Sequence, residues 1–197
     1  MQNAIIIFIR NPELGKVKTR LAATIGNEKT LEIYKQLLQH TYEVVDEIYA
    51  DKFVFYTDAV NENDIWNDYY KLVQADGALG QRMQHAFEFV FKLGYNNVCI
   101  IGSDCYDLNI DILRQAFTAL KTNDVAIGPA NDGGYYLLGL KEMKPALFLN
   151  KNWSTETVFT DTVLDCQNDK ISYTTLPVLI DIDELSDLKQ TALWVAT

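Results

Sequence analysis

Short apolar runs alternate along the chain with longer segments in which apolar residues recur every three or four positions. The first runs are AIIIFI (residues 4–9) and KFVFYT (52–57), both rich in β-branched or aromatic residues, as buried strands are. Further strands are predicted for KLVQ, NVCIIGSDC, DVAIGPA, GGYYLLGL and ISYTTLPVLIDID. Helical spacing predicts helices over 27–50, 79–94, 109–123, 155–167 and 184–196. Gly94 is expected to end the second helix and Asn109 to cap the third.

This alternation of strands and helices predicts an α/β fold, with helices on both faces of a mostly parallel mixed sheet. The expected architecture is a three-layer α/β/α sandwich that forms one domain over residues 1–197. The GGYYLLGL strand is expected to run antiparallel to its neighbours, and a late strand is left open in direction.

The composition of the chain limits the kinds of molecule that the protein is expected to bind. With 17 Lys+Arg and 27 Asp+Glu, the 197-residue chain has a formal net charge of −10, which argues against nucleic acid or an anionic membrane. No apolar run reaches transmembrane length, the N-terminus lacks a signal-peptide pattern, and the three cysteines form no zinc motif. A cytoplasmic protein without membrane insertion is expected, and a homodimer is left open.

Despite this negative charge, cations cluster directly after the first strand. The loop RNPELGKVKTR contains Arg10, Lys16, Lys18 and Arg20, with Gly15 in a tight turn. Loops at the carboxyl ends of parallel strands collect ligands, and these cations could hold a diphosphate or triphosphate. The loop matches neither a Walker A motif nor the dinucleotide fingerprint, so a solvated lysine-rich loop is the alternative. Since side chains two residues apart cannot all converge, at most two of Lys16, Lys18 and Arg20 are expected to contact phosphate.

Acidic residues follow two later strands. Asp104 comes directly after a buried strand, where a carboxylate facing a phosphate loop can hold Mg²⁺ or Mn²⁺; capping the next turn is the alternative. Asp181 and Asp183 have strand spacing and should face the same side. The metal ligands are predicted to be Asp104 and Asp183, although Asp183 could instead begin a helix.

A third acidic position lies in a glycine turn. Asp132 is followed by Gly133 and Gly134, which allow backbone to approach a ligand closely, although Asp-Gly is also typical of a plain hairpin. A basic phosphate loop, a metal-type aspartate and a glycine-rich acidic turn, in this order, indicate a nucleotide-dependent transferase.

Six motifs carry a family resemblance: NPELGKVKTRL, LGQRM, GSDCYDL, GPANDGGYYLLGL, WSTETV and DIDELSDL. Together they resemble a bacterial family of glycosyltransferase-like proteins of undefined specificity. That family belongs to the nucleotide-diphospho-sugar transferase superfamily, whose fold is the Rossmann-like GT-A type. The resemblance runs from residue 11 to residue 188.

The resemblance implies roles for individual residues. Asp104 corresponds to the metal-binding aspartate, but Tyr106 stands where the family usually has proline, which leaves the geometry at Asp104 open. Residues implied on the nucleotide or phosphate side are Lys16, Lys18, Arg20, Gly80 and Arg82. Residues implied on the acceptor side are Asp132, Gly133, Gly134, Tyr135, Trp153, Ser154 and Thr155.

The leading hypothesis is a glycosyltransferase that uses Mg²⁺ or Mn²⁺, a nucleotide-sugar donor and a small-molecule acceptor. Metal and basic loop would stabilise the leaving diphosphate, and Asp132 would orient or deprotonate the acceptor hydroxyl. The alternative is a nucleotidyltransferase that joins a nucleoside triphosphate to a phosphorylated small molecule and releases pyrophosphate. A non-catalytic nucleotide-binding module ranks lowest, because the candidate metal carboxylates are all present.

Overall fold

The computed structural model describes residues 2–196, with side chains up to residue 194. The strands are β1 (Asn3–Ile9), β2 (Asp51–Tyr56), β3 (Tyr70–Val73), β4 (Asn97–Ile101), β5 (Val125–Pro129), β6 (Tyr135–Leu140) and β7 (Tyr173–Thr175). The α-helices are α1 (Thr19–Ile25), α2 (Asn27–Asp46), α3 (Leu79–Lys92), α4 (Ile110–Ala119), α5 (Val158–Asn168), α6 (Leu185–Leu188) and α7 (Leu193–Ala196). A 3-10 helix covers Pro145–Phe148.

All seven strands join one sheet, in the order β3-β2-β1-β4-β6-β5-β7. Strand β6 is antiparallel to both of its neighbours, β4 and β5, whereas the other pairs are parallel. This confirms the mixed, mostly parallel sheet and the reversed GGYYLLGL strand. The late strand β7 runs parallel to β5, so it adds no second reversal.

Strand β1 shows why the fold has three layers. Its successive side chains point to opposite faces, and nearly all of them are buried. Ile5 and Ile7 join an apolar cluster with residues of α2 and α4 on one face, whereas Ile6 joins a second cluster with α3 and α5 on the other. Helices therefore cover both faces of the sheet, and the predicted α/β/α sandwich is confirmed.

Three segments differ from the predicted elements. The end of the basic loop is helical, because α1 begins at Thr19. The long extended segment predicted after residue 170 is a strand only over Tyr173–Thr175, and Pro177 soon follows without an N–H to donate to a ladder. The predicted closing helix divides into α6 and α7, and between them the Thr191 hydroxyl and backbone N–H both donate to the Leu188 carbonyl.

Two further expectations concern the chain as a whole. In the part that the structure describes, no helix is long and apolar enough to cross a membrane. A single domain over residues 1–197 stays a prediction, and the continuous sheet supports it.

The start of α4 offers a test of local stability. The Asn109 side chain accepts hydrogen bonds from the backbone N–H groups of Asp111 and Ile112, as predicted for a helix cap. We expect Asn109→Ala to lower the free energy of unfolding by about 1 kcal/mol, measured by urea denaturation. The exposed Gln115, in the middle of the same helix, supplies the control, and Gln115→Ala should leave stability nearly unchanged. Equal effects of the two substitutions would contradict the capping role.

Candidate functional site

A cleft opens at the carboxyl ends of β1 and β4, where the strand order changes direction. Ligands of open α/β sheets bind at such a point. The cleft has two connected lobes. The arginine lobe, of about 370 Å³, is lined by Gln74 and Arg82, and the loop lobe, of about 540 Å³, by Lys16 and Asp132. Asp104 lines both lobes, so it lies where they meet.

The centre of the cleft is an ammonium group between two carboxylates. Lys18 Nζ lies 3.0 Å from Asp104 Oδ1 and 3.6 Å from Asp181 Oδ1. Only 8% of the Lys18 side chain is exposed. Burial alone would lower the pKa of Lys18, but the two carboxylates outweigh it and raise this pKa above the ordinary value. The ammonium therefore stays charged and holds the two acidic segments together.

Of the two carboxyl groups beside Lys18, that of Asp181 is the one whose ionised form is less favourable. Its burial, followed by the nearby charge of Asp104, raises the pKa of the Asp181 carboxyl well above its usual range. Its Oδ1 atom is buried and accepts no hydrogen bond, because Lys18 Nζ lies beyond hydrogen-bond distance. A buried carboxylate oxygen with an unused lone pair, aimed at a cation, is suited to a second positive ligand.

The other cations of the basic loop are also paired. Lys16 Nζ lies 2.6 Å from Glu13 on the exposed surface, and Arg20 donates to Asp183 at 2.8 Å. Lys18 and Arg20 thus face the acidic segment at residues 181–183, whereas Lys16 turns toward Glu13. The predicted role of these three residues in phosphate binding stays a prediction, and a bound phosphate would have to share them with carboxylates.

The carboxylates at the centre fit a divalent metal ion that arrives with phosphates. Mg²⁺ and Mn²⁺ are commonly held by one or two carboxylates, with substrate phosphates and water as the remaining ligands. Asp104 and Asp181 can supply the two carboxylates. Asp183, predicted as the second ligand, is instead paired with Arg20. Over residues 2–196, no group of three or more His, Cys, Asp or Glu residues is arranged to hold a metal by itself.

The glycine turn after β5 positions Asp132 beside the loop lobe. Asp132 Oδ1 accepts a hydrogen bond from the Gly134 N–H at 2.8 Å. Gly133 has φ +87°, and a side chain there would collide with the Glu156 carbonyl. Asp132 and Gly134 line the lobe, whereas Gly133 is required for backbone packing.

Gly80 also serves packing. It lies in the first turn of α3 beneath the Trp153 ring, and a Cβ at Gly80 would collide with that ring. Trp153 stacks on Phe148 and meets Tyr135 edge to face, with centroid separations of 6.4 and 6.5 Å. The predicted acceptor-side residues Trp153, Ser154 and Thr155 all line the loop lobe, and Tyr135 lines both lobes.

Two residues that the sequence-based interpretation missed organise the back of the cleft. Tyr34, on α2, receives a hydrogen bond from the Arg10 N–H at 2.8 Å and donates to the Arg10 carbonyl at 3.1 Å. Gln74, just after β3, accepts from Arg82 Nη1 at 2.8 Å. Tyr34 follows helical spacing like any core residue, and a glutamine at a strand end carries no motif, so no signal in the sequence marked either.

Fold and cleft together define the class of protein. A three-layer α/β domain with a central antiparallel strand and a cleft at the strand switch point is the fold of nucleotide-diphospho-sugar transferases and nucleotidyltransferases. The chain belongs to a bacterial family described as "Uncharacterized protein conserved in bacteria (DUF2064)", whose sequence profile matches residues 40–155. This confirms the family resemblance. Among curated proteins, none matches the chain in sequence.

Solved structures agree with this assignment. A provisionally assigned nucleotide-diphospho-sugar transferase from Desulfovibrio desulfuricans G20 is 32% identical, with a TM-score of 0.88 over 95% of this chain and 85% of that one. The inositol-1-phosphate CTP transferase of T. maritima is 9% identical, with a TM-score of 0.62 over 95% and 91%. A Mycobacterium tuberculosis H37Rv protein in complex with manganese is 10% identical, with a TM-score of 0.59 over 100% of each chain. The last two share the fold alone.

The Gly80–Trp153 contact can be tested by adding one methyl group. Because the methyl would displace the indole ring, we expect Gly80→Ala to destabilise the protein by about 1–3 kcal/mol and to shift its tryptophan fluorescence. A Cβ at Gly102 meets open space, so Gly102→Ala serves as the control. In a Trp153→Ala background the added methyl should cost much less. If the cost is unchanged in that background, Gly80 does not act through Trp153.

The position of Lys18 predicts competition with metal ions. In Lys18→Met, the ammonium no longer neutralises Asp104 and Asp181, so we expect Mn²⁺ to bind without nucleotide about tenfold more tightly than to wild type. Metal-free Lys18→Met should melt at a lower temperature than wild type, and Mn²⁺ should reverse this. Calorimetry and thermal melting measure the two effects. Arg20→Met, which removes the neighbouring exposed cation, is the matched control and should change neither the Mn²⁺ affinity nor the melting temperature. Equal Mn²⁺ affinity in all three proteins would show that Lys18 does not compete with the metal ion.

Proposed function

We propose that this protein is a metal-dependent transferase that acts on a nucleotide-activated donor, and that glycosyl transfer from a nucleotide sugar is its reaction. One observation carries the proposal: Asp104 and Asp181, from separate segments, meet around the Lys18 ammonium where the two lobes of the cleft join. The 32%-identical relative supports a transferase that uses a nucleotide.

In this proposal the donor's diphosphate lies over Lys18, between the two lobes. Without a metal ion, the carboxylates of Asp104, Asp132 and Asp181 would repel this diphosphate, and the net charge of −10 on the chain would add to the repulsion. Lys18 offsets part of that repulsion. A divalent ion held by Asp104 and Asp181 would supply the remaining positive charge and stabilise the diphosphate as it leaves. Arg20 can turn from Asp183 toward the phosphates, since its side chain is 70% exposed.

The acceptor would enter through the loop lobe. Asp132 lies there on a turn fixed by Gly133 and by the hydrogen bond to Gly134, so its carboxylate is held in place before any substrate binds. It would orient or deprotonate the acceptor hydroxyl. Trp153, which lines the same lobe, would contact the acceptor through its indole ring.

Nucleotidyl transfer is the second candidate, favoured by the fold shared with the CTP transferase. The two reactions differ in what leaves: a nucleoside diphosphate in glycosyl transfer, pyrophosphate in nucleotidyl transfer. A panel of nucleotide sugars and nucleoside triphosphates, each incubated with Mg²⁺ or Mn²⁺ and candidate acceptors, separates them by product analysis. Release of pyrophosphate would replace glycosyl transfer with the second candidate.

Metal dependence has a direct test. We expect Mn²⁺ to strengthen the binding of a nucleoside diphosphate to wild type by about tenfold or more, compared with binding in a chelator. In Asp104→Asn this dependence should disappear while the protein stays folded, because one of the two carboxylates has lost its charge. Asp107→Asn, on the same turn but exposed, is the matched control and should behave like wild type. Calorimetry with and without Mn²⁺ measures all three proteins; equal affinity in every condition would make Asp104 a structural residue.

A further inference from the structure

Among the cations that line the cleft, the two without an ion-pair partner lie in the arginine lobe. Lys16, Lys18 and Arg20 are each paired with carboxylates. Arg10 and Arg82, by contrast, form no ion pair with any described carboxylate, although both line this lobe. Two neighbouring arginines that line a cleft without a carboxylate partner indicate that an anion completes the site.

The two guanidinium groups act on each other. Burial, followed by the positive charge of Arg10, lowers the pKa of Arg82. An anion bound between them would relieve this repulsion. The carboxylates that line the lobe, Asp104 and Asp181, both face Lys18 at its junction with the loop lobe, so they do not neutralise the arginines.

Buried hydrogen-bond donors in the lobe also lack acceptors. Arg82 Nε is buried without a partner, and so is the hydroxyl of Tyr135. A buried donor without an acceptor costs free energy, and it persists where a ligand supplies the missing atom. Both groups require an acceptor, so the ligand group presents oxygen atoms that accept hydrogen bonds.

Gln74 fixes the Arg82 guanidinium in place. Its amide donates to the carbonyls of Ile9, at 3.2 Å, and Phe55, at 3.0 Å, and its oxygen accepts from Arg82 Nη1. The glutamine is therefore bound at both ends and cannot turn to serve a ligand. It leaves the remaining edge of the guanidinium free for an oxyanion, which an arginine fork binds with two parallel hydrogen bonds.

We propose that the arginine lobe is a second anion site, in which Arg10, Arg82 and Tyr135 bind the phosphate or carboxylate group of a small anionic substrate. This rests on the proposed function, since that substrate would be the partner of the nucleotide donor. Its anionic end lies in the arginine lobe, and its reactive hydroxyl extends past the junction at Asp104 to Asp132 in the loop lobe. The site is separate from the place of the donor's diphosphate over Lys18.

Calorimetry with inorganic phosphate and with acetate tests the site, each with and without a saturating nucleotide and Mg²⁺. We expect at least one of the two anions to bind wild type and to remain bound when the nucleotide is present. The anion that binds identifies the phosphate or carboxylate class. Arg82→Gln should weaken its binding by about 10- to 100-fold, and Tyr135→Phe by a smaller factor. Arg114→Gln, at an exposed arginine paired only with Asp111, is the matched control and should change nothing.

Folding of each variant is checked by thermal melting. Arg82→Lys gives a second test, because it keeps the positive charge but loses the paired N–H donors of the guanidinium. It should bind the anion more weakly than wild type. Three results would overturn the anion site: neither anion binds, Arg82→Gln binds as wild type does, or the nucleotide displaces the anion, which would place the donor's own phosphates on the arginines. If no nucleotide binds but the anion still depends on Arg82, the second anion site stands and the proposed function fails.

Discussion

The candidate site depends on one ion-pair group, the Lys18 ammonium between Asp104 and Asp181. Asp104 follows β4, Asp181 follows the last extended segment, and Lys18 precedes α1, so this group ties together three distant parts of the chain. Lys18 has φ +45°, a left-handed conformation that costs a residue with a side chain about 1–2 kcal/mol. Backbone strain of this kind persists where surrounding contacts determine it, and here those contacts are the two carboxylates.

Much of the fold could be predicted because burial leaves regular patterns. The run AIIIFI becomes β1, whose side chains alternate between two apolar clusters, and Asn109 caps α4 as its position before an apolar repeat indicates. The division of the terminal helix into α6 and α7 could not be predicted in this way. Its apolar residues keep helical spacing across residues 189–192, where the break falls, so the periodicity predicts one continuous helix.

The site was less predictable than the fold because pairing is not visible in sequence. Asp181 and Asp183 are equivalent by strand spacing, and both face the basic loop. Which of them meets Lys18 depends on how α1 begins at Thr19, and that helix was missed. Lys18 pairs with Asp181 and Arg20 pairs with Asp183, so these two candidate metal ligands have different surroundings. Asp181, the buried one, keeps a buried oxygen without a hydrogen bond.

Charge pairing also changes what a basic motif means. A cluster of cations in sequence does not show which of its charges are paired, and three of the four cations in the loop at residues 10–20 lie against carboxylates. Within the cleft, the cations without an ion-pair partner are Arg10 and Arg82, which lie 72 positions apart in sequence and line one lobe. Since Gln74 holds Arg82 through its amide rather than through a carboxylate, the guanidinium is positioned without being neutralised. A neutral positioning group leaves the charge of Arg82 to a ligand, whereas a carboxylate in its place would compete with an anion for the guanidinium.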